Sequence, residues 1–405
     1  MNGGGPDHYE VKDVSEYKAN YEKLKELGRG KFGIVYEVRP LTEETDKSCA
    51  AKYVRARKRD VREGALQEIR LLHKLNHPYI IEFIDAFQGP SEVILVTEFL
   101  SGGELFERVA DEDFDLTESE CVSFMKQICE GVRYLHENQV VHLDLKPENI
   151  ICVRKDANEV KIIDFGQARE LKDSVQIKVK IPSLIKFNQS FGSQHFGSFL
   201  LFQVMCGTPE FVPPEVVNYD PIGLSSDLWS LGVIAYVLLS GLSPFMGDSQ
   251  TDTFSNISRA EYDFEEPEFD SITQEAKDFI ALLLIKTPGK RMSAEKCLEH
   301  PWLTTSEKLE MKKKINTAKL RKFLARRRWQ RCGQAIRAMK RMSGLMLKRR
   351  STQSMDSNIA EHSLDEEKEI KTHKTGSSED SNSDEEVAHF VYSRVYTTTF
   401  TMTVT

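Results

Sequence analysis

The chain lacks a framework of paired cysteines. Its seven cysteines (Cys49, Cys121, Cys129, Cys152, Cys206, Cys297 and Cys332) are odd in number and scattered, with no C-x-x-C pair and no metal-ligand spacing. A disulfide-stapled secreted fold and a zinc module are therefore set aside, and a reducing, intracellular setting is expected. A charged start followed by an apolar core is also missing, since the chain opens MNGGGPDHYE, so no secretory signal is expected. Long hydrophobic runs are absent too. The longest, Leu231 to Leu239, falls short of the roughly 18 residues a bilayer demands and reads as a buried helix. No solenoid-type repeat is visible. With 405 residues and 40% hydrophobic content, what remains is one large globular unit with tails.

Charge of one sign is scarce only locally. Counting Lys and Arg against Asp and Glu, residues 1–303 carry about −16, residues 304–350 about +15 and residues 351–405 about −7, within a net charge of −8. A basic segment directly after an acidic domain can fold back on it, although such runs are also solvated arms or nucleic-acid patches. The tail from Ser351, with SSEDSNSDEE, has the composition of a disordered segment. Residues 21–100 read as strands with one helix, because YEKLKELGRGKFGIVYEVR and KSCAAKYV alternate while EGALQEIRLLHKL has helical apolar spacing. Residues 101–303 read as mostly helical, as in TESECVSFMKQICEGVRYLHEN. Two lobes of unlike composition imply a cleft between them.

In LGRGKFGIVYEV, Gly28, Gly30 and Gly33 sit in a turn between strands, where missing side chains let backbone N–H groups approach phosphates. Alone, such a stretch is more often a plain turn, or a dinucleotide loop when a helix follows. Lys52 in CAAKYV and Glu68 in QEIRLL could be a surface pair, or a lysine for phosphates and the carboxylate that steadies it. Order decides between these readings. VHLDLKPENI supplies Asp144, Lys146 and Asn149, and KIIDFGQAR supplies Asp164. One carboxylate can accept a hydroxyl proton, Asp164 and Asn149 can hold Mg²⁺, and Lys146 can face the transferred phosphoryl group. CGTPEFVPPE with Glu215, SSDLWSLG with Asp227, and Arg291 as a buried partner for Glu215 complete the series.

Across residues 21–303 the chain resembles a eukaryotic protein kinase, which implies an α+β, bilobal fold with a small β-rich N-lobe (21–100) and a large helical C-lobe (101–303). HLDLKPEN resembles the Ser/Thr group. Leu143, FLSGGELFERV and EVVNYDPIGLSSDLWSLGVIAYVLLSGLSPFMGD resemble the calcium/calmodulin-regulated kinases, above all the myosin light chain kinases of smooth and non-muscle type. The resemblance implies a Mg-ATP site covered by Leu27, Gly28, Arg29, Gly30, Lys31, Phe32, Gly33 and Val35. Ala50, Lys52, Thr97 as gatekeeper, Glu98, Leu100, Glu104, Ile151, Ile163 and Asp164 complete it. Asp144 is the expected base, with Lys146, Asn149, Lys52 and Glu68 as its catalytic company and Asn149 and Asp164 as metal ligands. Leu143 stands where an arginine usually does, so activation-loop phosphorylation is not the expected switch.

RRRWQRCGQAIRAMKRM, from Arg326 to Met342, has seven basic residues and no acidic one. On a helix, Trp329, Cys332, Ala335, Ile336, Met339 and Met342 fall within an arc of about 140°. Trp329 and Met342 are then about 20 Å apart, a span that suits two hydrophobic grooves on one partner. A membrane-surface helix or a packed helix would share this pattern. The stretch resembles the calmodulin-binding segment of myosin light chain kinases, which implies Ca²⁺/calmodulin as partner for residues 325–345 through Trp329, Ile336, Met339 and Met342. Residues 304–328 would be an autoinhibitory linker whose basic residues occupy an acidic peptide groove, with Glu104 and Glu148 as its carboxylates, and Ser343 would be a regulatory phosphosite.

Ile181 to Gln203, IPSLIKFNQSFGSQHFGSFLLFQ, departs from the family. It falls in the activation segment, is longer than ordinary loops, and holds five phenylalanines against one lysine. It reads as an alternative exon or retained intron. Pro213, where alanine is usual, departs less. The expected protein is thus an N-terminal extension (1–20), a kinase domain, the linker, the calmodulin helix and an acidic tail (351–405). As a monomer in the cytoplasm or at the actomyosin cytoskeleton, it would phosphorylate myosin regulatory light chain, with no nucleic-acid or membrane partner. A death-associated, twitchin-like or titin-like kinase, or a calmodulin-binding scaffold without turnover, are the competing readings.

Overall fold

A computed structural model describes residues 9–30, 33–41, 47–171, 209–218, 220–305 and 312–329. The β-branched and aromatic residues of the first hundred positions make a six-stranded sheet in the order β1-β5-β6-β4-β3-β2. Its strands are β1 (Lys12–Asp13), β2 (Tyr21–Arg29), β3 (Gly33–Pro40), β4 (Cys49–Arg55), β5 (Phe83–Gln88) and β6 (Glu92–Glu98). β2 to β6 pair antiparallel, whereas β1 joins the β5 edge in parallel, with Lys12 opposite Phe87 and Asp13 opposite Gln88. The helix α1 (Val14–Asn20) starts at a capping box, in which Asp13 accepts from Ser15 N–H and Glu16 accepts from Asp13 N–H. The helix α2 (Arg59–Lys74) buries Ala65, Ile69, Leu71 and Leu72, the stripe its apolar spacing predicts.

The larger lobe is helical. Short α3 (Leu105–Val109) precedes α4 (Glu118–Glu137), whose Phe124, Met125, Ile128 and Val132 are buried. The apolar run Leu231 to Leu239 lies in the helix Ser225–Ser240, which is buried on every side, as a helix without a polar face must be. Four short strands carry the loops of the cleft: β7 (Val140–Val141), β8 (Ile150–Cys152), β9 (Val160–Ile162) and β10 (Arg169–Glu170), paired β8 with β9 and β7 with β10. The bilobal α+β architecture expected from the sequence is present.

Residues 312–329 return to this lobe. Ile315 N–H donates to the Leu116 carbonyl at 2.8 Å, and a helix over 318–329 buries Leu320, Phe323 and Leu324 in the same core. Gly241 permits the approach. It caps the helix Ser225–Ser240 at φ 70°, and a Cβ there would meet Leu320 N at 2.4 Å.

Candidate active site

The upper wall of the cleft is the turn between β2 and β3. Gly30 N–H donates to the Gly33 carbonyl at 2.9 Å and closes it, while Lys31 and Phe32 lie outside the described residues. Gly28 and Gly30 face open space, while a Cβ on Gly33 would fall 1.8 Å from the Tyr53 carbonyl oxygen. The turn is therefore pressed on β4 at one glycine and open to a ligand at the other two. Leu27 and Arg29 end β2, with Arg29 held by Glu26, and Val35 follows on β3 opposite Lys52. Ala50 and Thr97 are cross-strand partners on β4 and β6, and the Thr97 hydroxyl donates to the Glu98 carbonyl at 3.3 Å. The Glu98 carboxylate accepts from Glu82 N–H and pairs with Lys161, tying the crossing strand to β9. Leu100 and Glu104 follow, Glu104 at the N-cap of α3 and bridged to Ile151 on the floor. Ile163 N–H donates to the Asn149 carbonyl at 2.9 Å, placing Ile151 and Ile163 in one layer.

Lys52 projects from β4 between two carboxylates. Its Nζ donates to Glu68 of α2 at 2.8 and 3.1 Å and to Asp164 Oδ1 at 3.0 Å. Burial alone would push the ammonium down, but Asp164 and Glu68 together overturn that and hold it above its usual value. Lys52 in turn pulls the Asp164 carboxyl down to about 2, whereas burial pushes that of Glu68 up. Asp164 has left-handed backbone, φ 63°, and the next side chain, Phe165, is buried against the His142 ring at 4.9 Å.

The loop between β7 and β8 is fixed from below by Asp227, whose two oxygens accept from His142 N–H at 2.9 Å and Leu143 N–H at 2.8 Å. Leu143, at φ 63°, packs with Val212, Val216, Ile222 and Phe254, so an apolar contact stands where a charged one was expected to be missing. Lys146 Nζ donates to both Asp144 oxygens at 2.7 and 2.8 Å. Asn149 donates from its side chain to the Asp144 carbonyl at 2.8 Å and to Oδ2 at 3.1 Å. Burial pushes the Asp144 carboxyl up, with Lys146 opposing. Below lies Arg291, bidentate on Glu215 at 2.6 and 2.7 Å with both side chains fully buried.

These groups suit a nucleotide with a hard cation. Two glycines leave space beside backbone N–H groups, Lys52 offers a fixed positive charge, and Asp164 and Asn149 offer carboxylate and amide oxygens. Among the described residues no cluster of three or more His, Cys, Asp or Glu could hold a metal by itself.

The linker expected to lie in an acidic groove meets Glu148 there, together with a second carboxylate, Glu210, that the sequence reading had not named. Arg327, 2% exposed, donates from Nη2 to both Glu148 oxygens at 2.7 and 2.8 Å and from Nη1 to Glu210 at 3.1 Å. Its guanidinium lies over Phe211 at 4.9 Å and Phe323 at 5.4 Å. Burial pushes the Glu210 carboxyl up against the pull of Arg327. Glu210 sits in the CGTPEF stretch and could have been marked there as an acid beside the catalytic loop. Arg328 donates to Glu107 at 3.0 Å, while Trp329 is 73% exposed. Ile336, Met339, Met342, Ser343 and the segment 181–203 lie outside the described residues.

The protein kinase domain family matches residues 21–303. The smooth muscle myosin light chain kinase of Gallus gallus is 43% identical over 327 residues, covering 81% of this chain and 16% of its own length. Myosin light chain kinase family member 4 of Homo sapiens is 43% identical, covering 73% of this chain and 70% of its own length. A solved twitchin kinase fragment of C. elegans, described as an autoregulated protein kinase with immunoglobulin domains, superposes with a TM-score of 0.68 at 36% identity, over 80% of this chain and 66% of the fragment.

Proposed function

The chain belongs to the protein kinase family, as a Ser/Thr kinase among the myosin light chain and twitchin kinases, and from that membership we propose an enzyme switched on by Ca²⁺/calmodulin that phosphorylates myosin regulatory light chain. Its main support is a groove already filled by the chain's own tail, where Arg327 is buried between Glu148 and Glu210 next to an assembled Lys52, Glu68 and Asp164. A guanidinium bound by two carboxylates marks a subsite for a basic substrate residue. The chemistry is ready and access is what is withheld.

Mg-ATP supplies the phosphoryl group and neutralises its developing charge. Lys52, steadied by Glu68, orients the phosphates, and Asn149 and Asp164 provide the oxygens for Mg²⁺. Asp144 accepts the proton of the substrate hydroxyl, with Lys146 beside it to stabilise negative charge on the group in transfer. Thr97, Glu98 and Leu100 hold the adenine end. Calmodulin would take residues 325–345 through Trp329, Ile336, Met339 and Met342 and draw the helix over 318–329 off the groove, and phosphorylation at Ser343 would weaken that capture. The enzyme would work as a monomer in the cytoplasm at the actomyosin cytoskeleton, and among the described residues no helix is long and apolar enough to cross a membrane.

The test is phosphate incorporation into a light chain with Ca²⁺/calmodulin, with calmodulin in chelator, and with neither, using the full chain and one lacking residues 181–203. Incorporation should require both Ca²⁺ and calmodulin. Equal rates under all three conditions in an active protein would remove the switch from this reading.

A further inference from the structure

The first twenty residues read as a plain extension in the sequence, yet residues 9–20 are built into the small lobe. Asp85 on β5 is a carboxylate only 7% exposed, and apart from the neighbouring Ala86 N–H its donors are the Tyr9 hydroxyl at 2.7 Å and Lys12 Nζ at 2.8 Å. Tyr9 O–H also accepts from Ala86 N–H at 2.9 Å. A buried carboxylate with such partners is costly without them. Farther along the arm, Val14 fills the space over Gly89, where a Cβ would meet it at 2.8 Å. Tyr17 is buried against Phe87 and shares its hydroxyl with Tyr53 at 2.7 Å.

The arm therefore grips chiefly the β5–β6 hairpin, with Tyr53 of β4 as a further contact. The same hairpin carries α2 at two points. Arg62 donates to the Gly89 and Pro90 carbonyls at 2.7 and 2.9 Å, and His73 in the last turn lies against Phe83 at 5.5 Å, with Tyr9 completing the ring cluster at 4.8 and 5.0 Å. Glu68 sits between these two tethers. We propose that the arm, through Tyr9 and Lys12 on Asp85, is a positioning element of the nucleotide site that holds the hairpin from which α2 and Glu68 are suspended. Glu68 meets Lys52 at 2.8 to 3.1 Å, so a displacement of about 1 Å removes the contact. The β1 pairing is only two residues long, which leaves the side chains to decide whether the arm stays.

This inference rests on the kinase reading of the cleft and is tested by nucleotide affinity. Mg-ATP binding is measured by titration for the full chain, for a Tyr9→Phe, Lys12→Met double variant, and for a chain lacking residues 1–13, with thermal stability measured alongside. Affinity should fall about fivefold or more, the equivalent of one lost ordinary hydrogen bond, in both variants. A synthetic peptide of residues 1–13 should restore it to the shortened chain. A lowered melting temperature with unchanged affinity would reduce the arm to a stabilising strap and overturn the proposal, as would a folded shortened chain that the peptide fails to rescue. Failure of the parent to bind Mg-ATP would overturn the cleft reading as well, whereas a variant-to-parent ratio of one overturns this proposal alone.

Discussion

Asp144 is the base of the proposed mechanism, and its surroundings pull in opposite directions. Burial raises its carboxyl while Lys146, at 2.7 Å, lowers it. Since a base works only when deprotonated, phosphoryl transfer should fall as pH drops through the raised value. Removing Lys146 takes away the lowering influence, so Lys146→Met should move the acid limb of kcat/KM to higher pH as well as slow transfer, and a pH–rate profile of both proteins checks it. Asp144→Asn should remove transfer by ~100-fold or more and leave Mg-ATP affinity within a few-fold, because the base meets the hydroxyl and not the nucleotide. Quench-flow transfer assays paired with nucleotide titration separate the two effects. These residues were legible because each stands in a short stretch whose spacing carries its chemistry. Arg327 was legible only as one basic residue of the linker, and Glu210 as its second carboxylate was not, since the two lie 117 positions apart and nothing local in either segment announces the pairing.

Among the elements, the helix over 318–329 has two tasks that its sequence shows unequally. Its basic character was visible, whereas its apolar side, Leu320, Phe323 and Leu324, becomes meaningful only against the buried core and Gly241. Docking needs all of it, but Arg327 alone enters the acidic subsite. Truncating a buried, doubly paired arginine costs about 3 to 5 kcal/mol in comparable settings, and much of this reflects the carboxylates left behind. Arg327→Ala should therefore raise calmodulin-independent activity at least ~10-fold in a chain lacking residues 181–203, measured with a light chain in chelator. Trp329 behaves differently, since at 73% exposure it contributes little to docking. Trp329→Ala should leave the chelator activity unchanged and weaken calmodulin by about 2 kcal/mol, read by titration. The arm at residues 9–20 escaped sequence reading for a different reason. A two-residue strand has no periodicity to detect, and its partner, Asp85, is more than seventy positions away.

For the whole molecule the segment 181–203 matters most, and the described residues nearest it on either side are anchored. On one side β10 pairs with β7, and Leu171 N–H donates to the Gln139 carbonyl at 2.7 Å. On the other, Phe211 is buried, Val212 N–H closes on the Pro209 carbonyl at 2.9 Å, and Glu210 is held by Arg327. The described residues nearest it, up to Leu171 and from Pro209, are thus fixed to the helical lobe by contacts that do not pass through the segment. Lengthening the connection between fixed ends is cheap, at about 0.6 kcal/mol for each doubling, so the fold should survive with or without it. Five phenylalanines in an inserted stretch are another matter, because apolar surface of that kind covers whatever lies near it. The full chain should then bind Mg-ATP and calmodulin and still phosphorylate a light chain poorly, and deleting residues 181–203 should raise that rate at least ~10-fold under saturating Ca²⁺/calmodulin. High and equal rates would make the segment harmless, and two inactive proteins would turn the assignment toward a calmodulin-binding scaffold that keeps the kinase fold without its turnover.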